Sequence, residues 1–454
     1  MKIDLLVAEI GSTTTVVNAF NLGPCPKFIG QGQSPTTVDE GDVNIGLRSA
    51  IDNLASNLNI EGIEYDELIA TSSAAGGLRM TVHGLVYDMA VKAAKEAALG
   101  AGANIKYITA GRLRDSDLKK IKKIEPNIIL IAGGVDYGER DTALYNSELI
   151  AGLDLNIPVI YAGNIENQEE VKEVFRSKKS ELYIVENVYP KIDELNIEPT
   201  RKIIQDVFEK HIIHGPGMEK VRDMITGSIM PTPGAVMAAS ELLYEELEDL
   251  ITIDVGGATT DIHSVTEGSE EISRILVNPE PLAKRTVEGD LGVYVNMHNI
   301  VNMVGEEELA KELNISNEEL EKMIMNYKPI PESELEKAFV ENLTLHAVVT
   351  AVKRHAGRLR YLYGPGGKKT MAEGKDLTLV KNIVGTGGAL TRLPNRIKIL
   401  EQIALKAKGD ELLPTKEVTI FIDNHYIMAS LGVMAKKYPE EALKLLKDSL
   451  GIRS

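Results

Sequence analysis

Cysteine is almost absent from this chain: Cys25 is the only one in 454 residues. An intramolecular disulfide is therefore impossible, and the chain suits a reducing compartment. Its neighbours Pro24 and Pro26 put Cys25 in a turn, where a structural role is expected. No apolar run approaches the ~18–20 residues that span a bilayer. The first residues go straight into a strand pattern, with no signal-peptide pattern before it. Positive charge is scarce too, with 50 Lys and Arg against 67 Asp and Glu and a net charge of −17. Nucleic acid and anionic membrane surfaces both demand clustered cations, so neither is an expected partner; a small basic pocket for a nucleotide remains compatible. These absences together predict a cytoplasmic protein. At 43% apolar and 26% charged residues, the composition is that of an ordinary globular chain, long enough for two or three domains.

What is present is a repeated pattern. Residues 6–20 (LVAEIGSTTTVVNAF) and 251–265 (ITIDVGGATTDIHSV) align without a gap. Glu9 meets Asp254, Gly11 meets Gly256, Thr14 meets Thr259 and Thr15 meets Thr260. Each copy is an apolar strand ending in a carboxylate, a turn of Gly and small or hydroxyl residues, and a second apolar strand. That reads as a β-hairpin. A tip with little side chain exposes backbone N–H groups, and hydroxyls add donors, so it suits a phosphate. A carboxylate closing the incoming strand can hold a divalent cation against that phosphate.

Between the copies, helical periodicity covers Glu40–Leu58, a strand covers Glu67–Ser72, and a helix is expected over His83–Gly100, stopped by Gly100 and Gly102. Strands then alternate with helices. The strands are Ile105–Ala110, Asn127–Gly133, Pro158–Gly163 and Glu181–Asn187; the helices are Asp115–Lys123, Arg140–Ala151 and Asn167–Ser177. This rhythm predicts a parallel, helix-covered sheet of flavodoxin-like kind. A helix opened by small residues at 231–247 leads into the second hairpin, and its first turns suit close packing on another backbone. The segment 364–375 reads as a surface loop. A strand at 379–384 ends in the turn Gly385–Leu390 (GTGGAL). A strand at Glu417–Ile422 and a helix at Tyr426–Lys437 follow.

The order of these parts resembles the actin-like ATPase superfamily of sugar kinases, Hsp70 chaperones and actin. Asp254–Asp261 (DVGGATTD) is similar to that superfamily's DxGGGTxD. The resemblance implies an α/β fold of two ribonuclease H-like lobes with ATP and Mg²⁺ between them. Glu9, Asp254 and Asp261 are then the metal-organising and catalytic carboxylates. Gly11, Ser12, Thr13 and Thr14 would bind phosphate from the first hairpin, and Gly256, Gly257, Ala258 and Thr259 from the second. Gly385, Gly387, Gly388 and Ala389 would flank the adenosine. The implied organisation is a first lobe at 1–102, an inserted α/β unit at 103–215, a connecting segment at 216–249, a second lobe at 250–422, and C-terminal helices at 423–454 packing back at the lobe interface.

Three further segments, 72–103, 284–292 (KRTVEGDLG) and 374–391, resemble the MutL/GlmL family. That family accompanies adenosylcobalamin-dependent glutamate mutase and related aminomutases, and shares only a name with the DNA mismatch-repair protein. The resemblance implies an ATP-dependent chaperone or reactivating factor whose partner is such an aminomutase. A small-molecule kinase and a nucleotide-binding scaffold without turnover are the alternatives. Two departures bear on turnover. Glu9 replaces the usual Asp, and Met230 stands where Hsp70-like members have a water-orienting Glu. Hydrolysis is then expected to be slow, or to lean on Asp261 or Glu9, which suits a switch. The insert is expected to be a docking or packing module, with imitation of the mutase's cobalamin-binding domain as the sharper alternative. Asp423–His425 starts like a cobalamin motif, but Met428 stands where that motif needs Gly, so a structural role is expected. His211 and His214 read as a buried or surface pair, and Lys119–Lys123 as a solvated helix face.

Overall fold

The computed structural model describes residues 2–11, 14–73, 77–212, 215, 217–328, 330–364, 367–405, 409–415 and 417–452. The chain divides into two units, Met1–Ala239 with Ala429–Leu445 and Ser240–Met428 with Leu446–Ser454. Strands in the first unit are β1 (Lys2–Ile10), β2 (Thr14–Asn21), β3 (Lys27–Pro35), β4 (Glu64–Ser72), β5 (Leu78–Gly84), β6 (Ala103–Ala110), β7 (Ile128–Ile131), β8 (Val159–Tyr161), β9 (Leu182–Ile184) and β10 (Ile229–Pro231). Those in the second are β11 (Leu250–Val255), β12 (Thr260–Val265), β13 (Ala283–Glu288), β14 (Arg358–Gly364), β15 (Gly367–Glu373), β16 (Asn382–Thr386) and β17 (Thr419–Ile422).

The repeat in the sequence is a repeat of topology. In the first unit the order β10-β4-β1-β2-β3 joins an antiparallel meander, β1 to β3, to two parallel strands. In the second unit β17-β16-β11-β12-β13 does the same, strand for strand. This is the ribonuclease H-like arrangement of the actin-like ATPases. Each unit puts its hairpin at the centre of its sheet, because the first strand pairs on both sides. Hence β1 is almost continuously apolar, with Leu5, Leu6, Val7 and Ala8 all fully buried.

The first unit contains a second sheet, ordered β6-β5-β7-β8-β9 and parallel throughout. That is the flavodoxin-like order. Its first strand lies at Leu78–Gly84, upstream of residue 103, within a segment whose end reads as helix from sequence. Pairing with β6 and β7 on either side explains the difference. Leu78, Met80 and Val82 face one core, while Thr81 and His83 are fully buried too. The helix begins only at Lys92–Gly100, after a distorted turn at Tyr87–Val91. Nor does this sheet have a core to itself. Met80, Leu130 and Ile160 share one continuous apolar cluster with Leu6, Ala8 and Leu68 of the hairpin sheet. Its other face, with Ile129, Ile131 and Tyr161, packs on helices including Asp141–Ala151 and Gln168–Phe175.

The segment read as a loop at 364–375 belongs largely to a two-stranded ribbon, β14–β15, registered from Arg358↔Glu373 to Gly364↔Gly367. The helix Thr232–Leu247 uses its small residues as the sequence suggests. A Cβ on Gly234 would stand 2.5 Å from the carbonyl oxygen of Ala101, and one on Gly102 2.6 Å from the amide nitrogen of Gly234. A Cβ on Gly432 would collide with the carbonyl oxygen of Ala235. Backbone cannot yield as a flexible side chain can. Gly432→Ala is therefore expected to destabilise the protein by roughly 1–3 kcal/mol, measured as a lower urea midpoint at unchanged slope.

Candidate nucleotide site

The two hairpins close with the same hydrogen bond. The amide of Gly11 donates to the carbonyl of Thr14 at 3.0 Å, and that of Gly256 to the carbonyl of Thr259 at 2.9 Å. At Gly11 a Cβ would lie 2.6 Å from that Thr14 oxygen, so the turn admits only glycine there. Thr36 braces the first turn, donating its Oγ1 to the carbonyl of Gly11 at 2.9 Å and sitting 2.9 Å from Thr15 Oγ1. Ser12 and Thr13 lie outside the described residues. Glu9 is half-buried, and its Oε1 accepts from Ser430 Oγ at 2.6 Å and from Asn18 Nδ2 at 3.3 Å. Its longer side chain is thus already held in a polar network of the first unit.

The second hairpin is more open to a ligand. Its turn carbonyls are occupied: Gly257 O accepts from the amides of Tyr294 and Val295, Gly256 O from Val293, and Ala258 O from Asn296 Nδ2. By contrast, the amides of Gly257, Ala258 and Thr259 have no acceptor among the described residues. Three successive free N–H groups at a turn form an anion-binding concavity. The segment around Gly292 presses on Ala258 so closely that a Cβ at Gly292 would collide with it, which gives KRTVEGDLG a physical purpose.

Beneath the turn, Asp254 and Asp261 are direct partners across β11–β12. Directly opposed residues share a face and lie close together. Asp261 is buried; its Oδ1 accepts from Arg285 Nε at 2.9 Å and Nη2 at 2.5 Å, and its Oδ2 from Thr259 Oγ1 at 2.9 Å. Arg285 is itself 3% exposed, so this pair is shielded from solvent screening. The Asp254 carboxylate accepts no hydrogen bond from a described residue. Desolvation, then repulsion from Asp261, pushes its pKa up to about 7, although Arg285 pulls the other way. The residue keeps partial access to solvent at the strand end, so the carboxyl is deep but reachable.

Asp254 and Asp261 fit a divalent cation held through water, because a cation would compensate the repulsion that raises Asp254. Glu9 belongs to the first unit's network described above, and no group of three or more metal-ligating side chains occurs among the described residues. Of the expected adenosine residues, Gly387 (φ 84°) packs its Cα against Val255 and the Asp254 carboxylate, leaving no room for a side chain. Gly388 faces open space. At Gly385 a side chain would meet Leu400 and Ile422, so close core packing there also favours glycine. A cavity of about 290 Å³ lies beside this turn, lined by Gly257, Tyr294, Tyr327, Gly388, Ala389 and Arg392. The Tyr327 hydroxyl is tied to the carbonyl of Val293 at 2.7 Å, and its ring centroid is 5.7 Å from that of Tyr294. The cavity thus has an aromatic wall, a glycine floor and a cation, Arg392, at its side.

Arg285, Tyr294 and Tyr327 are absent from the residues expected by sequence. Arg285 had a signal, an arginine inside the strand-like KRTVE, but its carboxylate partner is 24 residues away and only register joins them. Asp423 is structural: its carboxylate, 1% exposed, accepts from Thr386, Ser449 and the amides of Ile427 and Met428. His211 pairs with Glu181 at 3.2 Å, and His214 lies outside the described residues.

The raised pKa of Asp254 has a consequence for stability. A carboxyl whose folded pKa lies above its unfolded value favours folding fully below about pH 4 and loses that contribution as pH rises through about 7. Without ligand, Asp254→Asn should therefore raise the melting temperature at pH 8, by an amount corresponding to at most about 4 kcal/mol. The gain should shrink on acidification and vanish near pH 4, as followed by melting curves across pH.

The family model described as MutL protein matches residues 5–450. Protein MutL of Clostridium tetanomorphum is 34% identical over 457 residues, a match covering 98% of each chain. Among solved structures, the chain is similar to a diol dehydratase-reactivating factor in nucleotide-free form, at 12% identity, 96% coverage of this chain, 99% of that one and a TM-score of 0.40. It is also similar to component A of (R)-2-hydroxyglutaryl-CoA dehydratase from Acidaminococcus fermentans, at 10% identity, 98% and 99% coverage and a TM-score of 0.32. By a match that runs through nearly its whole length, and by identity at that level, this chain belongs to the MutL protein family.

Proposed function

We propose that this protein binds Mg²⁺·ATP and uses slow hydrolysis to reactivate an adenosylcobalamin-dependent aminomutase in the cytoplasm. The observation that carries the nucleotide reading is the β11–β12 turn. There, three amides without an acceptor among the described residues adjoin a carboxylate that has no donor among them. The amides of Gly257, Ala258 and Thr259 donate to phosphate oxygens. Asp254 and Asp261 would hold Mg²⁺ through water, and Arg285 orients Asp261 through two hydrogen bonds. Bound Mg²⁺ supplies charge neutralisation for the phosphates during transfer. Tyr294, Tyr327, Gly388 and Ala389 receive the adenosine. The first hairpin, with Gly11, Ser12, Thr13 and Thr14, is assigned to the phosphates as the matching element, and Glu9 to ordering water.

Slow turnover follows from what is missing near β10. Met230 is 1% exposed and apolar, so it cannot orient a water molecule. A slow ATPase serves as a timer between two conformations rather than as a metabolic catalyst. The partner assignment rests on the resemblance carried by residues 72–103, 284–292 and 374–391. Met230 also favours one second reading, a nucleotide-dependent scaffold without turnover.

The decisive measurement is ADP formation by the purified chain with Mg²⁺, alone and with a cobalamin-inactivated aminomutase, while following release of the damaged cofactor. Stimulated hydrolysis coupled to release is expected. Asp254→Ala should lower Mg²⁺-dependent turnover by about 100-fold or more, given the usual weight of electrostatic groups in such sites. Unchanged turnover in that variant would remove Asp254 from the site. Tight ATP binding without ADP, even with the mutase, would favour the scaffold.

A further inference from the structure

The carboxyl ends of β5, β7, β8 and β9 carry an unusual set of side chains. Val86 and Tyr87 follow β5, Tyr137 follows β7, Ile165 follows β8 and Ile192 follows β9. All five are exposed, Tyr137 by 78%, Ile192 by 69% and Tyr87 by 54%. Single exposed apolar residues are unremarkable, but five on four loops at one edge of one sheet form a patch of the kind that marks an interaction site.

The patch is built rather than frayed. Tyr137 sits at φ 63°, a conformation disfavoured for a bulky residue. It is held there by Asn164, whose Oδ1 accepts from the Tyr137 amide at 3.2 Å while its Nδ2 donates to the carbonyl of Gly138 at 3.3 Å. Asp136 joins the loops: its Oδ1 accepts from the amide of Ile165 at 3.0 Å and from Asn187 Nδ2 at 2.9 Å, and its amide donates to the carbonyl of Pro190. Asn164 is fully buried and Asn187 3% exposed, so the framework is shielded from water. An aromatic residue held in a strained, pre-ordered pose suits an interface anchor.

In a sheet of this order small ligands enter the crevice between the first and third strands, here β5 and β7. There the Gly133 and Leu85 backbones already pack closely. A Cβ on Gly133 would lie 3.2 Å from the amide nitrogen and 3.3 Å from the Cβ of Leu85. What opens at this edge is a cavity of about 370 Å³ lined by Asp136, Ile165, Glu186, Asn187 and Pro190. Exposed Asp193 and Glu139 lie three residues along the chain from the lining residues Pro190 and Asp136. The nearby cations Arg140 and Lys191 are already paired, with Glu170 and Glu194. An acidic hollow within an apolar ring selects a protein surface that offers a lysine or arginine beside an apolar depression.

We propose that this edge of the β5–β9 sheet is the docking surface for the partner enzyme, with Tyr137 and Ile192 as anchors and the Asp136–Glu186 hollow receiving a basic side chain. The inference rests on the aminomutase partner proposed above. Its test uses the full-length chain and purified aminomutase holoenzyme in an equilibrium binding assay. It compares the wild type with the double variant Tyr137→Ser and Ile192→Ser, and with Glu186→Lys. A further chain carries the photocrosslinker p-benzoylphenylalanine in place of Tyr137. At least tenfold weaker binding by both variants, with their basal ATP turnover intact and a crosslink from position 137 to the mutase, is the expected result. Wild-type binding that both variants retain, without that crosslink, overturns the docking surface and leaves the aminomutase reading standing. Absence of binding by the wild type overturns both.

Discussion

Two carboxylates of like charge, Asp254 and Asp261, face each other across one antiparallel pair, and the second unit is arranged around that repulsion. The register of β11 and β12 places both on one face and the hairpin turn directly above them. Arg285, brought alongside by β13, satisfies Asp261 with two hydrogen bonds, while Asp254 accepts none from a described residue. Gly387 then has to be glycine, because its backbone lies against the Asp254 side chain. A charge that the fold desolvates and leaves unpaired is a cost to stability unless a ligand meets it. A cation beside phosphates would do so, and the free amides of the turn would take the anion next to it.

The same topology in the first unit gives a different chemical outcome. Both hairpins close with the same Gly-to-Thr hydrogen bond, and both centre their sheets. Yet the position opposite Glu9 in register is Val16, whereas Asp261 stands opposite Asp254. Glu9 consequently meets no like charge across the ladder and is bound by Ser430 and Asn18 instead. The two hairpins share the backbone device and differ in side chains, with one carboxylate engaged by Ser430 and Asn18 and the other accepting no hydrogen bond from a described residue.

Much of the architecture was legible because it depends on local patterns. Apolar alternation and a Gly-rich tip announce each hairpin, small residues announce the close-packed helix at Thr232–Leu247, and the β/α rhythm announces the parallel sheet. The misreading at residues 83–91, expected as the start of a helix, also has a local cause. LRMTVHGLVY mixes apolar and polar residues without a clean period, and only pairing with β6 and β7 makes a strand of its first seven residues. The ribbon β14–β15 escaped notice because glycines and lysines at its tip look like any surface loop.

The sequence by itself determined where backbone must turn tightly, which stretches are apolar enough to be sheet centres, and which acidic residues end them. These properties are fixed by residues adjacent in the chain, and glycine and β-branched side chains write them plainly. Tertiary structure alone decided which carboxylate is paired, which glycine packs against the core, and which loops share one edge. Arg285 meeting Asp261, Gly385 turning to Leu400, and the loops of Tyr137 and Ile192 falling at one edge of a sheet all depend on strand order and register. Those arrangements bring together residues far apart in sequence, and no periodicity within a single segment encodes a partner that another segment supplies.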